Sequence, residues 1–94
     1  MAVAAALLVA QGKLDEAMKT VDDGIASATR ESFFLANLHT VRGEVFEAQA
    51  AIADDGTAAG KAQAATAKRA AIGAYDRSIA INEALQKRLA SEPR

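Results

Sequence analysis

Few side chains in this chain are equipped for chemistry, and their spacing decides what they could do. His39 is the only histidine and cysteine is absent, so no transition-metal site, thiol nucleophile or disulfide framework can be assembled from one copy. The acidic pairs Asp15/Glu16 and Asp22/Asp23 have carboxyls to move protons. General acid–base work, however, needs two carboxyls in separated environments within a cleft, whereas these pairs read as exposed helix surface near a turn. Asp54-Asp55-Gly56 has the start of a calcium loop but lacks the later oxygen ligands and the closing Glu. Gly56-Thr57-Ala58-Ala59-Gly60-Lys61-Ala62 imitates a phosphate-binding loop. It is one residue short between its glycines, has Ala where the magnesium-binding hydroxyl belongs, and follows a helix rather than a strand. No nucleophile, base and orienting group can be combined, so the sequence predicts no enzyme, no metal and no cofactor. Asp54 and Asp55 read as turn residues and His39 as a packing residue.

The elements that position these side chains are helical. Hydrophobic residues make up 51% of the sequence, largely Ala, Leu, Ile and Val, with three Phe, one Tyr, no Trp and a single Pro at position 93. Ala loses no side-chain entropy on entering a helix, and nothing predicts a strand. Residues 2–11 form a first helix stopped by Gly12, a residue that enters the left-handed region without steric cost. Leu14, Met18, Val21, Ile25 and Ala28 recur in a four-three rhythm on one stripe of a second helix. The short link forces the two into an antiparallel hairpin. Ser32 or Thr29 can cap a third helix carrying Phe34, Leu38, Val41, Val45, Ala48 and Ile52 inward. Gly43 lies inside that helix at a cost of about 1 kcal/mol relative to Ala, which predicts a neighbouring helix close enough to need the missing side chain. Asp54-Asp55-Gly56-Thr57 ends it. The Ala-rich stretch 58–70 has no large apolar residue and reads as an insertion, helical in part. A last helix then places Ile72, Tyr75, Ile79, Leu85 and Leu89 inward and closes at Ser91-Glu92-Pro93-Arg94.

A chain of 94 residues makes one domain that buries only about 60–65% of its unfolded surface. The net charge of −1 conceals four basic and nine acidic residues over 1–60 against seven basic and three acidic over 61–94. The later basic residues are scattered, with Tyr75 their one aromatic neighbour, so they read as a solvated helix face rather than a nucleic-acid surface. No apolar run approaches the roughly 20 residues that span a bilayer. Residues 1–10 lack the basic flank of a signal peptide. The absence of cysteine suits a reducing compartment, and a cytoplasmic location is expected.

The first hairpin, with Ala5, Leu8, Gly12, Ala17, Val21 and Gly24 around the turn Gly12-Lys13-Leu14-Asp15-Glu16-Ala17, resembles the tetratricopeptide repeat, whose small residues at fixed points let helices pack closely over about 34 residues. The second unit follows with His39-Thr40-Val41-Arg42-Gly43-Glu44-Val45-Phe46 and Ala71-Ile72-Gly73-Ala74-Tyr75-Asp76-Arg77-Ser78-Ile79-Ala80-Ile81-Asn82. His39 stands where the family has Trp, and Arg42 where it has Leu. The resemblance implies an all-α fold of antiparallel hairpins in a right-handed superhelix: hairpin 1 over 2–28 and hairpin 2 over 32–90, with an inserted segment near 54–68. Gly43-Glu44-Val45-Phe46-Glu47-Ala48 echoes the Gly12 turn, so three shorter hairpins stand as the alternative to two long ones. The likeness is to the repeat regions of bacterial signalling and regulatory proteins, and it implies a protein-binding scaffold without activity.

In that repeat the first helix of each hairpin lines the groove. This places Ala2, Val3, Ala6, Val9 and Ala10 there with Asn37, Thr40, Val41, Glu44 and Glu47, an apolar and acidic surface suited to an apolar or basic peptide or helix. The Lys and Arg of a carboxylate clamp are missing. Every residue from Ala2 to Ala10 is apolar, although the end repeats of a solenoid need a polar side. The sequence therefore predicts that Val3, Leu7, Leu8 and Val9 meet more protein: further repeats of a longer chain, a partner, or the same helix of another copy.

Overall fold

The computed structural model describes residues 2–28 and 30–91, with side chains from Ala4 onward. It is all-helical, with α1 at Ala2–Ala10, α2 at Leu14–Ser27, α3 at Phe33–Ala53 and α4 at Ala58–Ser91, and no strand among the described residues. α1 and α2 form one antiparallel hairpin and α3 and α4 a second, longer one, so the packing is that of two hairpins. α3 lies against both α1 and α2, while the backbones of α1 and α2 do not come alongside α4.

Local chemistry sets the ends. Gly12 has φ of +75°, and its N–H donates to the Val9 carbonyl while the Lys13 N–H donates to that of Leu8. This double bond pattern satisfies the last carbonyls of α1 and turns the chain back at once. α2 has no side-chain cap at its start, but Asp15 and Glu16 occupy its first turn, where carboxylates favour the helix dipole. Ser32 caps α3, its Oγ accepting from the Leu35 N–H at 3.0 Å. The alternative cap, Thr29, lies outside the described residues, as does the predicted closing segment beyond Ser91. At the α3–α4 turn Asp55 Oδ1 accepts from the Thr57 N–H (3.0 Å) and hydroxyl (2.6 Å), and Thr57 Oγ1 accepts from the Gly60 N–H. These bonds hold the Asp55 carboxyl below its ordinary value and start α4.

α3 carries two buried faces. Leu38 and Val41 join Ala5 of α1 and Val21 of α2 in one cluster, with Ala6 and Ile25 packed on it. Leu35 and Ala36 join Ile81 and Leu85 of α4 in another. The ends of the predicted α3 stripe, Phe34 and Ile52, are exposed, because α1 and α2 are too short to cover a helix of 21 residues along its whole length.

The segment 58–68, expected as an insertion, is the first part of α4. The extra residues lengthen the arm of the hairpin, giving a helix of 34 residues and about 51 Å at 1.5 Å per residue, which accounts for the 57 Å long axis of the molecule. The inner face of α4 also differs from expectation. Gly60, Ala64, Ala71, Ala74, Ser78, Ile81 and Leu85 are buried, whereas Ile72, Ile79 and Leu89 stand exposed. With half-buried Ala67 the buried set keeps a four-three rhythm throughout. Its small side chains let two helix backbones approach closely, and that contact outweighs the burial of a few larger side chains.

Candidate interaction face

Close approach of α3 and α4 fixes the candidate site. A Cβ at Gly43 would stand 2.5–2.8 Å from the ring carbons of Tyr75, so the predicted need for glycine is met by an aromatic ring lying on the α3 backbone. One turn away, Thr40 Oγ1 and Ser78 Oγ are 2.7 Å apart. The Thr40 hydroxyl also reaches the Ala36 carbonyl at 3.3 Å, and either hydroxyl can donate across the interface. Thr40 opposite Ser78 and Gly43 opposite Tyr75 set an antiparallel register in which three steps up α3 match three steps down α4.

Around Tyr75 lie an acidic edge and an apolar stripe. Burial, followed by the neighbouring Glu47 and then Glu44 carboxylates, pushes the phenol up to about 12, so it stays neutral. On α4, Ile72 and Ile79 are one turn before and one turn after Tyr75, 60% and 54% exposed. On α3, Phe33, Asn37, Thr40, Glu44 and Glu47 follow one another at helical spacing on the same edge, with Phe33 about half exposed. The sequence placed Ile72 and Ile79 in the core because they are large. The signal that assigns them outward is the four-three repeat of small residues on the adjoining stripe of α4.

Four of the five groove residues predicted on α3 share this face: Asn37 is exposed, Thr40 is tied to Ser78, and Glu44 and Glu47 flank the phenol. Val41 does not. It is 3% exposed within the cluster of Ala5, Val21 and Leu38, since its position on α3 points toward α1 and α2, and it lends no surface. Among the predicted contact residues of α1, Leu7 is 57% exposed and Leu8 and Val9 are half-buried. The side chain of Val3 lies outside the described residues.

The opposite side of the α3–α4 pair carries a shallow cleft in two parts of about 420 and 410 Å³. Phe46, Gln49 and Ile52 form its floor, with Leu14 and Asp15 at one end and Ala62, Gln63, Thr66, Ala67 and Ala70 along α4. Arg42 stacks over the Phe46 ring at 4.9 Å, and its Nε donates to Asp22 Oδ1 at 3.1 Å, tying α3 to α2. Burial, then the charges of Arg77 and Arg42, hold His39 below its ordinary value. The cation is thus already balanced by Asp22, and the histidine beside it is disfavoured as a second one.

No helix among the described residues is long and apolar enough to cross a membrane. Comparison with protein-family models, characterised proteins and solved structures finds no match to the chain. The face itself combines an apolar stripe, a neutral phenol and two carboxylates on closely packed helices.

Proposed function

We propose that this chain is a non-enzymatic interaction module, a tetratricopeptide-like scaffold that takes a helix of another polypeptide on the face around Tyr75. The observation that carries the reading is a repeated stripe. Met18, Val21 and Ile25 on α2 have the same spacing as Ile72, Tyr75 and Ile79 on α4. On α2 that stripe meets α3, with Val21 and Ile25 packed against its side chains. On α4 the corresponding isoleucines are exposed. An incoming helix would sit on the second hairpin as α3 sits on the first, its apolar residues on Ile72 and Ile79 and its basic side chains toward Glu44 and Glu47. A role in regulatory or signalling assemblies in the cytoplasm accords with the resemblance of the hairpins.

Binding of labelled amphipathic helical peptides, followed by fluorescence anisotropy, tests this. A peptide with isoleucines at four-three spacing and a lysine flank is expected to saturate the chain and to bind about tenfold more tightly than its glutamate-flanked counterpart, a difference of about 1.4 kcal/mol. Ile79→Asp is expected to remove the binding. Failure of both peptides to saturate, or binding indifferent to Ile79→Asp, would overturn the proposal.

A further inference from the structure

The stripe on α4 is self-complementary, and we infer that the helix it takes is α4 of a second copy of this chain, lying antiparallel with the two-fold axis between Tyr75 and Asp76. This rests on the helix-accepting face proposed above and names its occupant. Two identical antiparallel helices place at one level those residues that are equidistant from the axis. Ile72 and Ile79 are such a pair, so each exposed isoleucine meets the other isoleucine of the second copy. Lys68 and Glu83 are the next such pair, one helical turn farther out on the same strip. Both are exposed, and neither takes part in an ion pair among the described residues. The seam thus alternates Lys68–Glu83 and Ile72–Ile79 contacts twice, once in each direction. Ala65 and Gln86, again equidistant, extend it without a bulky clash. α3 lies behind each α4, so the two hairpins stand side by side and Glu44 and Glu47 remain open beside the seam. At the axis Asp76 is level with Tyr75 of the second copy, and the two Asp76 carboxylates, one residue apart along the seam, bring like charges near each other.

The order of charges along α4 carries the argument. A parallel pairing would set Lys68 against Lys68 and Glu83 against Glu83, whereas the antiparallel one sets each against its opposite.

Sedimentation equilibrium of the full chain from about 1 to 500 μM tests the inference. Wild type is expected to pass from monomer to dimer. Lys68→Glu alone and Glu83→Lys alone each place like charges at both polar layers, and each is expected to weaken the dimer about tenfold, or 1.4 kcal/mol, with unchanged helical content by circular dichroism. An equimolar mixture of the two variants restores both charge pairs and should form a heterodimer of wild-type strength, which a folding defect cannot mimic. Asp76→Asn should tighten the dimer. The inference is overturned by a chain that is monomeric throughout, by variants that do not reassociate on mixing, or by a dimer lost with Leu7→Glu but kept with Ile79→Glu. A monomeric chain that still binds the basic amphipathic peptide refutes the second copy and leaves the helix-accepting face standing. A monomer that binds neither refutes both.

Discussion

Gly43→Ala pits two effects of similar size against each other. Replacing a mid-helix glycine by alanine ordinarily stabilises by about 1 kcal/mol, because the unfolded chain loses freedom. Here the added methyl would stand 2.5 Å from Tyr75 Cε1, 2.7 Å from Cζ and 2.8 Å from Cδ1, against an ordinary carbon–carbon separation of about 3.5–4.0 Å. Either the ring leaves the α3 backbone or the two helices separate by about 1 Å at the crossing. The second course also disturbs the Thr40–Ser78 bond one turn away. Overpacking of this kind costs about 1–3 kcal/mol, so the net effect expected is a loss of about 1 kcal/mol, or a fall in Tm of about 4–8 °C for a domain of this size. Urea unfolding followed at 222 nm measures it. The decisive comparison is the same substitution in a Tyr75→Ala background, where the obstacle is gone and Gly43→Ala should stabilise by about 1 kcal/mol. The cycle therefore predicts a coupling of about 2 kcal/mol. If Gly43→Ala stabilises equally in both backgrounds, the ring does not lie on the α3 backbone and the register argued from it is wrong.

Tyr75 is the only tyrosine and tryptophan is absent, so absorbance at 295 nm reports its ionisation alone. The midpoint should stand near 12 in the folded chain and fall toward 10.0 in urea. Since the folded value is the raised one, the stability linked to this phenol is intact below pH 10 and is lost as pH climbs to about 12. His39 has the opposite sense: its value is lowered from 6.5 by folding, so stability is full above that pH and declines as pH falls through the folded value. His39→Gln should flatten the slope, and the single histidine resonance by NMR should titrate below 6.5. Ser32→Ala removes the acceptor for the Leu35 N–H and should cost about 1 kcal/mol by urea unfolding. Thr57→Ala, which leaves the Gly60 N–H without its cap, should cost a similar amount.

Local rules carried the reading of the fold a long way. The Gly12 stop, the Ser32 cap, the turn at Asp54-Asp55-Gly56-Thr57 and the close approach at Gly43 were all legible, because each depends on one backbone conformation or one side-chain acceptor. The inward face of α4 was not. Its stripe of Gly, Ala and Ser looks featureless beside Ile72 and Ile79, and only the position of α3 decides between closest approach and largest side chain. The stretch 58–70 reads as an insertion, and a run of small residues does not say that the extra length is one continuous helix until a second helix lies along it. The acidic edge at Glu44 and Glu47 was legible from helical spacing. Tyr75, at its centre, belongs to the other helix, and no spacing along one chain segment brings the two together.

α3 is the only helix with neighbours on both sides, since α1 and α2 do not come alongside α4. The two hairpins are joined through α3, with Ile25 of α2 packed on the cluster that α3 forms with α4, as adjacent units are joined in a linear array. Heating should then loosen the molecule in order rather than all at once. The nine-residue α1, anchored through Ala5, should exchange its amide protons first, α2 should follow, and the long α3–α4 pair should hold last. The seam inferred on α4 thus lies on the most persistent part of the chain, and association there could continue while the first hairpin opens and closes.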